Sequence, residues 1–124
     1  MRMAIQVGEA RASAAPLSAA VVSTNLLFIS GQIADPEGEA KDIGAQTEEA
    51  LSNLARVLRA AGCAMDEVLK TTVFLTRAED VGAMNAVYRH HFSEPYPARS
   101  TIVVAALARP GLLVEIEAIA ALPQ

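Results

Sequence analysis

The stretch from Asp42 to Thr76 limits the fold more than any other. Ile43, Ala50, Leu51, Leu54, Val57, Leu58 and Ala61 recur at the three- and four-residue spacing of one helix face. Asp42 stands where an N-cap belongs, and Gly62 where a helix stops. Directly afterwards, "EVLKTTVFLT" (67 to 76) is rich in β-branched residues and predicts a strand. A helix feeding so closely into a strand reads as a crossover, which requires a sheet with that helix laid against one face.

The flanks supply the rest of the sheet. "AAVVSTNLLFISGQI" (19 to 33) splits at "STN" into two aliphatic runs and predicts a hairpin, and the charged "ADPEGEAKD" (34 to 42) predicts a connection. A second helix is expected over 79 to 92, with Val81, Met84, Val87, Tyr88 and Phe92 on one face, ended by Pro95 and Pro97. "RSTIVVAAL" and "LLVEIEAIAAL" predict two more strands, parted by a turn at "ARPG". The first of these has the apolar run of a buried core strand. Right-handed crossovers place both helices on one side, so the other face of the sheet is left without cover from this chain. Its Val, Ile and Leu content points to packing against other subunits.

The 124 residues fit one domain, residues 1–124, and a 52% apolar content excludes disorder. A net charge of -4 lacks the basic footprint of a nucleic-acid binder. Cys63 is the single cysteine, which rules out an internal disulfide and is expected to be a small buried hydrophobe. Near the N-terminus Glu9 and Arg11 interrupt any apolar leader, and no apolar run is long enough to span a bilayer. The expectation is a cytoplasmic protein with no membrane and no nucleic-acid partner.

Charged residues inside strands are the candidates for chemistry. Arg99 opens an apolar strand, and its guanidinium is shaped to hold a carboxylate through two parallel hydrogen bonds. A structural salt bridge is the alternative, although a buried Arg–Glu pair adds little net stability; on the residues alone both stay open. In "VEIEAIA", Glu115, Glu117 and Ile119 alternate with Val114, Ile116 and Ala118. Glu115, near the turn, is expected to be hydrated, and Glu117, deeper in the strand, to be buried beside a partner. His90 and His91 are adjacent on a predicted helix, about 100° apart, and cannot ligate one metal together. Ser30 lacks a nucleophile-elbow frame, and "GQIADPEGEA" lacks the pattern and the lysine of a phosphate loop.

Taken in order, "NLLFISGQI", "AQTEEALSNLARVLRAAG", "VLKTTVFL", "MNAVYRHHF", "YPARS" and "VEIEAIA" resemble the RidA family (YjgF, reactive intermediate deaminase; endoribonuclease L-PSP) over nearly the whole chain. The resemblance implies a chorismate-mutase-like α/β fold with a six-stranded mixed sheet and two helices on one face, the last strand inserted beside the third. It also implies a homotrimer whose sheets face inward, with ligand clefts between subunits. The implied activity is hydrolysis of reactive enamines and imines, such as 2-aminoacrylate or 2-iminopropanoate, to 2-oxo acids and ammonia, with no cofactor and no metal.

Carried over residue by residue, Arg99 clamps the substrate carboxylate and Glu117 orients or activates water. Thr101 sits beside the substrate, while Leu17, Ser30, Gly31 and Gln32, with Asn85 nearby, line the cleft from the adjoining subunit. The chain departs from the family pattern in places. "PLSA" puts Leu17 and Ala19 where PYSQ is usual, removing a tyrosine hydroxyl. Thr101 stands at a position that is often Cys, and Ala106 where Arg is usual. A second reading from a different class is a trimeric binding protein that holds a 2-oxo acid on Arg99 without turnover. A ribonuclease role, reported for some relatives, is poorly supported by an acidic chain.

Overall fold

Local capping chemistry sets the first helix. In the computed structural model, which describes residues 2–7 and 15–123, α1 spans Ile43–Ala60, and Asp42 Oδ1 accepts from the Ala45 N–H at 2.9 Å. At the other end Gly62 has φ +77°, with Gly62 N–H donating to Arg59 O and Cys63 N–H to Leu58 O. That pair of bonds is the Schellman arrangement, which a glycine at this position accommodates without Cβ strain. Residues 8–14, with Glu9 and Arg11, lie outside the described residues.

Six strands form one sheet: β1 (Met3–Ile5), β2 (Ala20–Ser23), β3 (Leu26–Gln32), β4 (Val68–Leu75), β5 (Ala98–Val103) and β6 (Val114–Ala121). Their order is β1-β2-β3-β6-β4-β5. Among the described residues only β4 and β5 pair in parallel; β6 runs antiparallel to both β3 and β4 and fills the gap between them. β5 and β6 therefore do not form a hairpin, although they are consecutive strands joined by residues 104–113, with Gly111 at φ +82°. The inserted last strand and the mixed sheet agree with the fold that the family resemblance implies.

The second helix is shorter than the periodicity predicts. A 3₁₀ turn over Ala78–Asp80 leads into α2 (Val81–Tyr88), and Arg77 grips Asp80 through Nε at 2.9 Å and Nη2 at 3.0 Å. Beyond Tyr88 the chain tightens, His90 N–H bonding Val87 O and His91 N–H bonding Tyr88 O, so the last turn is no longer α-helical. Met84, Tyr88 and Phe92 are buried as their spacing predicts.

Both helices cover one face of the sheet. Leu27 and Ile29 of β3, Val73 and Leu75 of β4, and Val114, Ile116, Ala118 and Ala120 of β6 pack under Leu51, Leu54, Val57 and Leu58 of α1 and Met84 of α2. Cys63 joins this core, and burial raises its thiol pKa. The opposite face carries Phe28, Lys70, Thr72, Phe74, Glu115, Glu117 and Ile119, none of them buried.

The apolar run after Arg99 is not buried in the isolated chain. β5 lies at the sheet edge with one neighbour, and Ile102 and Val103 are 44% and 49% exposed. Edge position, which depends on where β6 inserts, overrides the apolar pattern. Among the described residues, no helix is long and apolar enough to cross a membrane.

Candidate active site

Strand alternation determines which side chains can meet. Thr71 of β4 is in register with Arg99 on one side and Ala118 on the other; the next row is Thr72 with Ser100 and Glu117. Side chains in one row share a face, and adjacent rows face opposite ways. Thr71 and Ala118 are buried under the helices, so Arg99 projects to the helical side and Glu117 to the uncovered side. Within one chain Arg99 and Glu117 cannot close on the same small molecule.

Arg99 is held by aromatic and sulfur contacts instead of by an acid. Its guanidinium carbon lies 4.7 Å from the Tyr88 ring centroid, and Nη1 is 4.0 Å from Met84 Sδ. The Tyr88 hydroxyl is tied in turn to Thr71 Oγ1 at 2.7 Å. Burial pushes the Tyr88 hydroxyl pKa up, opposed by the Thr71 hydrogen bond and the Arg99 charge. Among the described residues no carboxylate pairs with Arg99, so the guanidinium is positioned but uncompensated. Stacking on an aromatic face leaves its N–H fork free for an incoming anion.

The space beside Arg99 is a cavity of 310 Å³ lined by Asn85, Tyr88, Arg89, Tyr96, Pro97 and Arg99. Asn85 Oδ1 is buried there without a hydrogen-bond partner. A buried carbonyl oxygen without a donor is destabilising by about 1–3 kcal/mol, so a ligand N–H would relieve it. Thr101 follows two residues along β5 on the face of Arg99. Asn85 therefore stands with Arg99 of its own chain, not with the Ser30 segment as the resemblance implied; α2 packs on the helical side, and Ser30 belongs to the far side of the sheet.

The second group of expected residues forms on the uncovered face. β3 bulges after Ile29: Ile29 pairs with Ala118 and Gln32 with Ile116, so Ser30 and Gly31 together stand opposite Glu117. Ser30 Oγ donates to Ser18 O at 2.6 Å, Ser30 N–H donates to Ala19 O, and Gln32 Nε2 donates to Ser30 O. These bonds lay the segment with Leu17, which is 63% exposed, against the bulge. The Ser30 hydroxyl proton is thus committed to the backbone.

The two glutamates reverse their expected environments. Glu117 is exposed, and none of the ion pairs among the described residues involves it; with Ser30, Lys70 and Thr72 it lines a separate 290 Å³ cavity. Glu115 is the half-buried one. A Cβ built on Gly31 would overlap its carboxylate, with Cδ only 2.6 Å away. Burial pushes the Glu115 carboxyl pKa up, and the nearby Glu117 charge pushes it the same way. Position along the strand gave no hint of this, because the bulge in β3 decides which glutamate is covered. Arg89 was also missed; its only sequence signal is its place one turn after Asn85. His91, partly buried, pairs with the exposed Glu48 at 2.8 Å.

Comparison with known proteins gives this geometry a family. The profile described as endoribonuclease L-PSP matches residues 7–122. A RutC family protein of Synechocystis is 42% identical, the match covering 96% of this chain and 95% of the relative. A mouse protein named 2-iminobutanoate/2-iminopropanoate deaminase is 43% identical, covering 97% of this chain and 91% of its own. The crystal structure of RidA from the Antarctic bacterium Psychrobacter is similar at a TM-score of 0.86 and 38% identity, covering 97% of this chain and 99% of that one. With the sheet order and the profile match in agreement, the chain belongs to the RidA/YjgF family, described also as endoribonuclease L-PSP.

Proposed function

We propose that the protein hydrolyses reactive 2-imino acids and their enamine tautomers, of the 2-iminopropanoate or 2-aminoacrylate type, to 2-oxo acids and ammonia. The carrying observation is Arg99, a guanidinium stacked on Tyr88 with no acid partner among the described residues, beside a cavity that also contains the unpartnered Asn85 Oδ1. The mouse relative's name supports this chemistry.

Arg99 holds the substrate carboxylate through two N–H groups, and Asn85 Oδ1 accepts an N–H of the iminium nitrogen. A water oxygen adds to C2, which the iminium charge already makes electrophilic. One water proton passes to a carboxylate and from there to the nitrogen; the C–N bond then breaks as the C2 hydroxyl gives up its proton, by way of the same carboxylate, to the departing ammonia, leaving a C2 carbonyl and ammonium. A carboxyl with a raised pKa suits both halves of that transfer. For this reason the role falls to Glu115 in place of Glu117, whose charge helps keep Glu115 protonatable.

Since Arg99 and Glu115 leave the sheet on opposite sides, the cleft is completed by a second copy, and the assembly is a homotrimer with the uncovered faces inward. Phe28 at 42% and Ile102 at 44% exposure on that face favour its burial between copies. The test couples the protein to a serine or threonine dehydratase, which releases the enamine. Faster release of the 2-oxo acid at fixed dehydratase supports the proposal. Binding of 2-oxobutanoate without acceleration would replace it with a binding role.

A further inference from the structure

Arg89 caps the C-terminal end of α2, one turn after Asn85 and next to Tyr88. All three line the cavity that holds Arg99. Two guanidiniums therefore border one 310 Å³ space, and among the described residues none that lines it is an Asp or Glu. Among the described residues neither arginine takes part in an ion pair, and both border the same cavity. The chain as a whole carries a net charge of -4, so an acid-free cavity with two arginines runs against its average composition.

A cation at a helix C-terminus is favoured by the helix dipole. That accounts for a positive residue after Tyr88 but not for its place on the wall of the Arg99 cavity. Both side chains are exposed, so solvent screens their mutual repulsion to a modest cost, and an anion lying between them removes it. A single carboxylate on Arg99 leaves Arg89 uncompensated; a second carboxylate on the same molecule offsets it. The remaining walls, the rings of Tyr88, Tyr96 and Pro97, suit a short carbon skeleton joining two such groups.

We infer that the cavity takes dicarboxylic substrates: 2-imino acids of four or five carbons whose distal carboxylate is held by Arg89 while Arg99 holds the carboxylate next to the imine. The inference rests on the reading above in taking Arg99 as the clamp for that carboxylate. The reaction is unchanged, with C=N replaced by C=O, the oxygen coming from water and the nitrogen leaving as ammonium; the distal carboxylate takes no part in bond making.

The deciding test is calorimetric titration of the purified full-length protein with 2-oxoglutarate and with 2-oxobutanoate, in the original chain and in Arg89→Ala and Arg89→Lys. A charge-assisted hydrogen bond at a partly exposed site corresponds to about a tenfold preference. The original chain should bind the dicarboxylate tighter by about that factor, Arg89→Ala should lose the preference, and Arg89→Lys should keep part of it. Equal affinities in the original chain, or a preference that survives Arg89→Ala, would overturn the inference. Turnover is read separately with oxidase-generated 2-iminosuccinate and 2-iminopropanoate. A binding preference with no hydrolysis of either imine refutes the deaminase reading alone and leaves the dicarboxylate site standing.

Discussion

Arg99 and Glu115 project from opposite faces of one sheet. Arg99 is in register with the buried Thr71, and Glu115 with Phe74, whose row lies on the side that no helix covers. A reaction needing both residues is therefore divided between two copies of the chain. Arg99→Ala and Glu115→Gln should each be inactive alone but complement one another when mixed and co-refolded. If each cleft draws its arginine from one copy and its glutamate from the next, random assortment at equal ratio restores about one quarter of the activity. Mixtures no more active than the separate variants would place both residues in one chain's site, contrary to the register.

Gly31 leaves the space that the Glu115 carboxylate occupies. Gly31→Ala should push that carboxylate aside and lower kcat for imine hydrolysis on the order of 10- to 100-fold, the size of a roughly 1 Å misplacement. Because the displaced group is the end of a flexible side chain on the uncovered face, the thermal midpoint should change little. A variant with full kcat would remove Glu115 from the proton transfer.

The Tyr88 ring and hydroxyl have separable roles. Tyr88→Phe keeps the face under Arg99 but leaves the buried Thr71 hydroxyl without its partner. It should lower unfolding free energy by about 1–2 kcal/mol with activity largely retained. Tyr88→Leu removes the ring as well, and should raise KM for the imino acid more than it lowers kcat, because the clamp loses its orientation before substrate binds. Chemical denaturation and steady-state kinetics on the two variants separate these effects.

The raised pKa of Glu115 has a sign that unfolding can test. Burial and the Glu117 charge favour its neutral form in the folded state. The stabilisation this gives is fully present below the unfolded carboxyl pKa and is lost as pH rises through the folded value. Glu115→Gln, neutral at every pH, should gain in melting temperature relative to the original chain as pH is raised from about 4 to 8. A difference that stays flat over that range would mean that Glu115 does not titrate with a raised pKa.

What the sequence disclosed follows from how far each signal reaches along the chain. The ends of α1 were legible because Asp42 and Gly62 act on backbone groups a few residues away. The turn between β2 and β3 lies inside the predicted hairpin at Thr24 and Asn25 for the same reason. The exposure of β5 was not legible: Ile102 and Val103 have the composition of a core strand, and only the insertion of β6 between β3 and β4 leaves them at the edge. Glu115 and Glu117 were likewise indistinguishable by alternation, which puts them on one face. The bulge at Ser30 and Gly31, formed against a strand far away in sequence, covers one and leaves the other exposed. Arg99 stands out in the sequence as a charge at the head of an apolar strand, but its stacking on Tyr88 depends on α2 crossing over the sheet.

The central claim is that Arg99 clamps a 2-imino acid for hydrolysis, and steady-state kinetics on enzymatically released 2-iminopropanoate tests it most directly. Arg99→Ala should lower kcat/KM at least 100-fold, the loss expected when a bidentate charged contact is removed from a partly dry cleft, while Arg99→Lys recovers part of it and both variants keep the far-UV spectrum and oligomeric size of the original. An Arg99→Ala protein that is folded, assembled and hydrolyses the imine at the original rate would contradict the account.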